Sequence, residues 1–191
     1  MRPDELKIDP FGILVGHTWA EVGVILDAIN RYGVTRFAEI GVHKGGLCAL
    51  LCHATEHLAR FHYLGMEIDR DIVVSSVRRL FHPMAVETGT RQLWFGDAHT
   101  AATVREVAKW LAKDVGPAWI YCDGGDKPTE FNLYAPILRP GDLISAHDYD
   151  YGGYERAEIA WPDIEQAVTE YSLRNLGFVA PYRITLWRKD K

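Results

Sequence analysis

The sequence predicts an α/β fold: a Rossmann-like three-layer αβα sandwich whose seven-stranded sheet is mostly parallel, with an antiparallel closing strand. Three observations predict it. Five short apolar runs of strand character alternate with segments of helical periodicity, the pattern of a parallel sheet with right-handed crossovers and helices on both faces. Two more apolar stretches near the C-terminal end are joined too closely for a parallel crossover and so must pair antiparallel. With 191 residues the chain supports one packed core rather than two. The expected division is a single domain over 1–191, with an N-terminal segment and helix (1–33), the ligand-binding strands and loops (34–148), and a covering loop, helix and closing strands (149–191).

The elements follow in order. "TWAE" announces the first helix, because Thr18 and Glu21 have capping-box spacing; Val22, Ile25, Leu26 and Ile29 share one face, and Gly33 ends it. "TRFAEI" (Thr35 to Ile40) reads as a strand, "GGLCALLCHATEHLA" as a helix, "FHYLGMEI" as a strand and "RDIVVSSVRRLF" as a helix. Strand "RQLWFG", helix "TAATVREVAKWLAK", strand "AWIYC", helix "PTEFNLYAPIL" and strand "DLISAH" continue the alternation. After Pro162, the helix "DIEQAVTEYSLRN" precedes Gly177 and the stretches "FVAPY" and "RITLWRK", which are split by Pro181 and Tyr182. No internal repeat or low-complexity segment interrupts the pattern.

Composition narrows the function classes. A chain that is 48% hydrophobic and 25% charged has the balance of a soluble globular protein. Its net charge of -5 disfavours nucleic acid, which is bound through a basic footprint, and Arg78 with Arg79 makes only a short basic pair. The N-terminus carries acids and prolines where a secretory signal would be apolar, and no stretch is long enough to span a bilayer, so the expected location is the cytoplasm. The three cysteines, Cys48, Cys52 and Cys122, are too few and odd in number for a disulfide framework. Cys48 and Cys52 share a helical face beside His53, but no second ligand pair accompanies them, so they read as buried packing.

In open parallel sheets, ligands bind beyond the carboxyl ends of the strands, near the switch in strand order. The loop after the first strand is "EIGVHKGG": Glu39 ends the strand, Gly41 allows a sharp turn, and Gly45 and Gly46 allow close approach where the next helix begins. An ordinary strand-to-helix turn has the same ingredients. The spacing is neither that of the dinucleotide fingerprint nor that of a P-loop. Acid-x-Gly-x-x-x-Gly instead resembles the first loop of S-adenosylmethionine-dependent methyltransferases. In that resemblance, Glu67 at the tip of the second strand holds the ribose hydroxyls, with Asp69 as the alternative, since a carboxylate accepts from two neighbouring hydroxyls. Asp97 and Ala98 match the family's acid-Ala pair that borders the adenine and accepts from its exocyclic amine. The competing role for either acid is a helix N-cap. His43 and Lys44 either flank the cofactor's carboxylate or are simply solvated.

"IYCDGGDKPTEFNLYAPILRPGDLISAHDYD" is similar to the segment shared by the macrocin O-methyltransferase and cephalosporin hydroxylase-like branch. That resemblance implies a divalent ion such as Mg²⁺ held by Asp123 and Asp148. His147 stands where some relatives have another carboxylate, as a ligand, a base or neither. Asp126 stands where many relatives have histidine; it adds a third carboxylate, and crowding of acids would raise its pKa and make it a base. The bland alternative has Asp123 capping the next helix, Gly124 and Gly125 making the turn, and His147 and Asp148 in a polar surface loop.

The resemblance implies methyl transfer from S-adenosylmethionine to a small-molecule oxygen, with the metal lowering the acceptor's pKa and Asp123, Asp126 and His147 as catalytic candidates. A hydroxylase-like enzyme and a non-catalytic S-adenosylmethionine-binding protein are the alternatives. The acceptor pocket is expected to be shallow, completed by the loop from Tyr149 to Pro162, or shared with a second subunit of a homo-oligomer.

Overall fold

The computed structural model describes residues 7–8, 13–14, 17–55, 61–73, 75, 77, 91–113, 116–150, 152, 155–179 and 183–191. Two short strands, β1 (Lys7–Ile8) and β2 (Ile13–Leu14), pair antiparallel ahead of the first helix, α1 (Trp19–Tyr32). There follow β3 (Arg36–Ile40), α2 (Gly46–Ala54), β4 (His62–Glu67), β5 (Arg91–Phe95), α3 (Ala101–Leu111) and β6 (Ala118–Cys122). Helix α4 (Lys127–Tyr134) runs into a 3₁₀ turn (Ala135–Ile137), and β7 (Leu143–Ala146), α5 (Trp161–Glu170), β8 (Leu173–Val179) and β9 (Ile184–Lys189) complete the chain. The helix expected from "RDIVVSSVRRLF" falls largely outside the described residues.

Seven strands form one sheet in the order β5-β4-β3-β6-β7-β9-β8. The first five are parallel, and β9 runs antiparallel to both β7 and β8. This is the Rossmann-like sandwich that the alternation predicts. Strand order reverses between β3 and β6, which puts the switch point at the loops that begin with Gly41 and Asp123.

Side chains alternate across this sheet and feed two separate cores. Phe37, Trp119 and Tyr121 join α1 and α2 on one face; Ala38, Ile40, Ile120 and Cys122 join Trp110, Phe131 and Tyr134 on the other. Helix α1 is set by the expected capping box. The Glu21 amide donates to Thr18 Oγ1 at 3.2 Å, while the Thr18 amide donates to Glu21 Oε2 at 2.6 Å. Gly33 stops the helix in the left-handed conformation, φ 63°. All three cysteines are free and buried, as packing residues should be.

One boundary differs from expectation. The last helix ends at Glu170, not near Asn175, because Ser172 takes a left-handed φ of 53° and turns Leu173 into the core as the first residue of β8. Helical periodicity and strand alternation coincide over so short a stretch, so the break was not visible in the pattern.

Candidate functional site at the strand-order switch

Gly41 is the point where the two central loops meet. Its φ is +84°, and a Cβ there would lie 2.5 Å from Gly124 Cα, so neither the conformation nor the space admits a side chain. The Asp123 amide donates to Ile40 O at 2.9 Å, and the Gly41 amide to Met66 O at 2.9 Å. This backbone junction divides the carboxyl edge of the sheet into two clefts, each lined by Gly41. One, of about 300 Å³, is walled by Met66, Glu67, Ile68, Asp97, Ala98 and Glu130. The other, of about 390 Å³, is walled by His17, Glu39, His43, Asp123, His147 and Asp148.

The first cleft is built at the strand-end loops, from short-range contacts joined by two longer ones. Glu67 accepts from the amides of His43 at 2.7 Å, Ile68 at 2.9 Å and Asp69 at 3.2 Å, which fixes its carboxylate at the tip of β4. Asp69 instead turns to the amide of Asp71 and does not line the cleft, which leaves Glu67 as the acid placed for a ligand. Asp97 accepts from the His99 amide at 2.8 Å, and the Ala98 carbonyl accepts from the Tyr134 hydroxyl at 2.7 Å. Ile68 is 71% exposed and presents an apolar face to the same space. Glu130 lies buried beneath and accepts from the Gly124 amide at 3.1 Å; burial pushes its pKa up. Gly124 has no room for a side chain because of this carboxylate.

Two residues of the first glycine loop serve the interior. A Cβ on Gly45 would lie 2.6 Å from Val77, and Gly45 lines neither cleft, so its lack of a side chain accommodates a packed valine. Glu39 is buried at the edge of the second cleft and accepts from the Tyr63 hydroxyl; burial pushes its pKa well above the ordinary carboxylate range.

The second cleft is a dense charge cluster drawn from separate elements. His147, just past β7, lies with Nδ1 3.1 Å from Asp123 Oδ1 and Nε2 3.3 Å from Glu21 Oε1. Burial opposes a charge on His147, but Asp123, Glu21 and Asp148 outweigh it and push the pKa up to about 10. His17 stacks on that ring with centroids 4.6 Å apart, and it takes the opposite state. Burial pushes its pKa down to about 4, while Nε2 lies 2.7 Å from the Tyr121 hydroxyl. The stacked pair therefore carries one positive charge, on His147.

Asp123 is held below the usual carboxylate range: burial would raise it, but His147, His17 and Lys127 together prevail. Glu21, the capping-box acid, also receives Arg183 Nη2 at 3.1 Å; burial works against its charge, yet His147 and the Thr18 amide bring its pKa down to about 2. Asp148, at a left-handed φ of 54°, accepts from Arg183 Nη1 at 2.6 Å. Lys127 is 4% exposed and donates to Gly124 O at 3.1 Å and to Glu158 of the covering loop.

Asp126 does not join this cluster. Its side chain is exposed and caps α4 by accepting from the Thr129 amide at 3.1 Å, and these bonds lower its pKa instead of raising it. The expected crowding of acids fails because the Asp126 side chain turns away to the end of α4. Asp126 is thus the helix cap that an Asp at such a position supplies, and nothing in its surroundings prepares it as a base.

Among the described residues, His17, Asp123 and His147 form a group whose ligand atoms lie within 4.8 Å of one another, close enough to hold a metal ion. This set is nitrogen-rich and omits Asp148, whereas Mg²⁺ prefers an oxygen shell. His17, Glu21, Lys127 and Arg183 were not singled out as site residues in the sequence. Glu21 was visible only as a cap and Lys127 only as the residue after "DGGD".

No family model matches the chain, and no curated protein matches it in sequence. Solved structures do match its fold. CmcI in a complex with Mg and SAM superposes with a TM-score of 0.65 at 17% identity, over 97% of this chain and 76% of that one. A provisionally assigned caffeoyl-CoA O-methyltransferase from Staphylococcus aureus gives 0.62 at 12% identity, over 88% and 82%. A provisionally assigned O-methyltransferase from Klebsiella pneumoniae gives 0.53 at 18% identity, over 90% and 80%. The chain therefore has the class I methyltransferase fold. No helix among the described residues is long and apolar enough to cross a membrane.

Proposed function

We propose that the chain is an S-adenosylmethionine-dependent methyltransferase that acts on an oxygen of a small molecule. One observation carries the reading: two clefts meet at Gly41, one walled by carboxylates at the tips of successive strands and the other by a buried proton-bearing cluster. The carboxylate of Glu67 suits the two ribose hydroxyls, and Ile68 beside Asp97 and Ala98 suits an adenine with its amine at the acid. His43 and Lys44 line the second cleft, and their side chains would suit the cofactor's carboxylate. The neighbours' own names, CmcI with SAM and two O-methyltransferases, support the same reading.

When bound, the cofactor supplies an electrophilic methyl group on a sulfonium. The chain's residues would then align an acceptor oxygen with it and take the acceptor's proton, and positioning of this kind accounts for roughly 7–11 kcal/mol of a barrier in well-oriented systems. His147 already carries a proton at neutral pH and so donates a hydrogen bond, which leaves Asp123 as the carboxylate able to receive the acceptor's proton. Asp123 is a weak base, so this arrangement favours an acidic hydroxyl over an aliphatic alcohol.

The test is a melting curve with S-adenosylhomocysteine, since a ligand of the native state raises the melting temperature by mass action. A rise that NAD does not reproduce supports the reading. A response to NAD alone rules it out. Labelled methyl appearing on phenolic acceptors would separate turnover from binding without catalysis.

A further inference from the structure

Lys127 is a buried ammonium at the place where the sequence suggests a divalent ion. Its Nζ lies 3.7 Å from Asp123 Oδ1 and 4.0 Å from Asp148 Oδ2, bridging the two carboxylates expected to share a metal. Arg183 comes from the opposite side, before β9, and holds the other oxygen of Asp148 at 2.6 Å while reaching Glu21 at 3.1 Å. Each carboxylate therefore already has cationic partners. The carbonyl of Gly124 and the carboxylate of Glu158 complete the surroundings of Lys127, and the covering loop is tied to the cluster through that contact.

Mg²⁺ requires about six oxygen ligands at roughly 2.0–2.1 Å in near-octahedral order. To enter between Asp123 and Asp148 it would have to displace a buried lysine, and the remaining donors nearby, His17 and His147, are imidazoles. Placing a divalent ion beside two cations that already pair with these acids is also costly, because like charges repel. A flexible ammonium does part of the same work: it neutralises the acids and fixes their spacing, as a point charge with three donors.

We infer that Lys127, with Arg183, is a built-in replacement for the divalent ion, so that the site between Asp123 and Asp148 works without Mg²⁺. This extends the proposed methyltransferase reading and rests on it for the role of the cleft. Lys127 is a positioning residue here: it acts through the two carboxylates and the loop residue Glu158, not on the acceptor. The arrangement also explains why an acid-rich loop needs the lysine immediately after "DGGD".

The experiment is a Mg²⁺ titration read by melting temperature and by equilibrium dialysis, on chelator-treated protein with and without S-adenosylhomocysteine. For the native sequence the expected result is no bound Mg²⁺ and no shift up to about 10 mM, because an ion that does not bind the native state cannot stabilise it. Lys127→Met keeps a long apolar stem and removes the charge; it is expected to gain Mg²⁺ binding at least about tenfold tighter than the native sequence, a gain that Asp123→Asn in the same background abolishes. A merely structural lysine would not give that gain. Stoichiometric Mg²⁺ on the native protein, lost in Asp123→Asn, would overturn the inference, as would tight Mn²⁺ or Zn²⁺ binding lost in His17→Ala. A folded Lys127→Met protein that remains silent to Mg²⁺ also overturns it. If Lys127→Met does not fold, the dialysis result for the native protein decides alone. The S-adenosylhomocysteine arm keeps the two ideas apart: protein silent to both ligands sinks the methyltransferase reading, whereas protein that binds the nucleoside and Mg²⁺ sinks only the lysine's role.

Discussion

The two clefts share Gly41 but are made in different ways. In the first, the acids are held mainly by their own loops, Glu67 by the amides one and two residues on together with the His43 amide from the loop after β3, and Asp97 by the amide two residues on. In the second, the key contacts join residues 126 and 162 positions apart, Glu21 to His147 and Glu21 to Arg183. The first gathers carboxylates with His99 as the nearest imidazole; the second balances acids against cations. A site assembled from strand-end loops can be rebuilt from local chemistry alone, whereas a charge cluster depends on the whole fold to bring its members together.

The largest expected effect breaks the junction between them. Gly41→Val would set a branched Cβ against the Gly124 backbone at a left-handed φ, and should cost about 4 kcal/mol or more, read by denaturant unfolding, with both clefts lost together. Asp123→Ala attacks the second cleft alone. It strips a partner from His147 and Lys127 and should cost about 3–5 kcal/mol, as breaking a buried ion pair does, while the Glu67 half is left intact.

Acidity sharpens the comparison next. His147 has a folded pKa near 10 against an ordinary 6.5, so its contribution is complete below 6.5 and is lost as pH rises towards 10. His17 is pushed down to about 4, so the unfolded chain binds its proton first and stability falls as pH drops from 6.5 towards 4. Glu21, near 2 against 4.5, adds a further loss at lower pH. Melting temperature should therefore peak close to pH 6.5, with the alkaline flank on the order of 5 kcal/mol and the His17 part of the acid flank on the order of 3 kcal/mol. His147→Gln should remove the alkaline flank and also shrink the acid flank, because His147 helps to hold Glu21 and His17 down; an alkaline flank unchanged by that substitution would show that His147 does not carry the charge of the stacked pair.

Smaller effects fall on the first cleft and its border. Asp126→Ala should lower stability by about 1 kcal/mol through loss of the cap on α4, and Asp126→Asn, an equally good cap that takes no proton, should restore it. A loss that Asn fails to repair would return Asp126 to the list of functional acids.

These differences also explain what could be read beforehand. The sheet, its order of elements and the capping box of α1 follow from period and cap chemistry, whereas Glu67, Asp97 and Ala98 are singled out through the family resemblance at the strand ends, and the structure brings all three to one cleft. Gly41 was readable as a turn, but the clash with Gly124 that makes it necessary depends on β3 and β6 being neighbours. Gly45 looked like a ligand contact because the sequence does not show Val77 packed against it. His17 and Arg183 carry no local signal; they matter only because α1 and the turn before β9 close over the end of β7. Asp126 departs from expectation for a local reason: crowding was inferred from spacing, but its side chain turns to the Thr129 amide and away from the cluster.

The central claim is that the open cleft beside Gly41 holds S-adenosylmethionine through Glu67, and calorimetric titration with S-adenosylhomocysteine addresses it most directly. The expected result is saturable binding of one nucleoside per chain, weakened about tenfold to a hundredfold by Glu67→Ala, the scale of a lost charged hydrogen bond, in protein whose melting temperature without ligand falls only slightly. Absence of binding at saturating nucleoside, or affinity unchanged in folded Glu67→Ala protein, would contradict it.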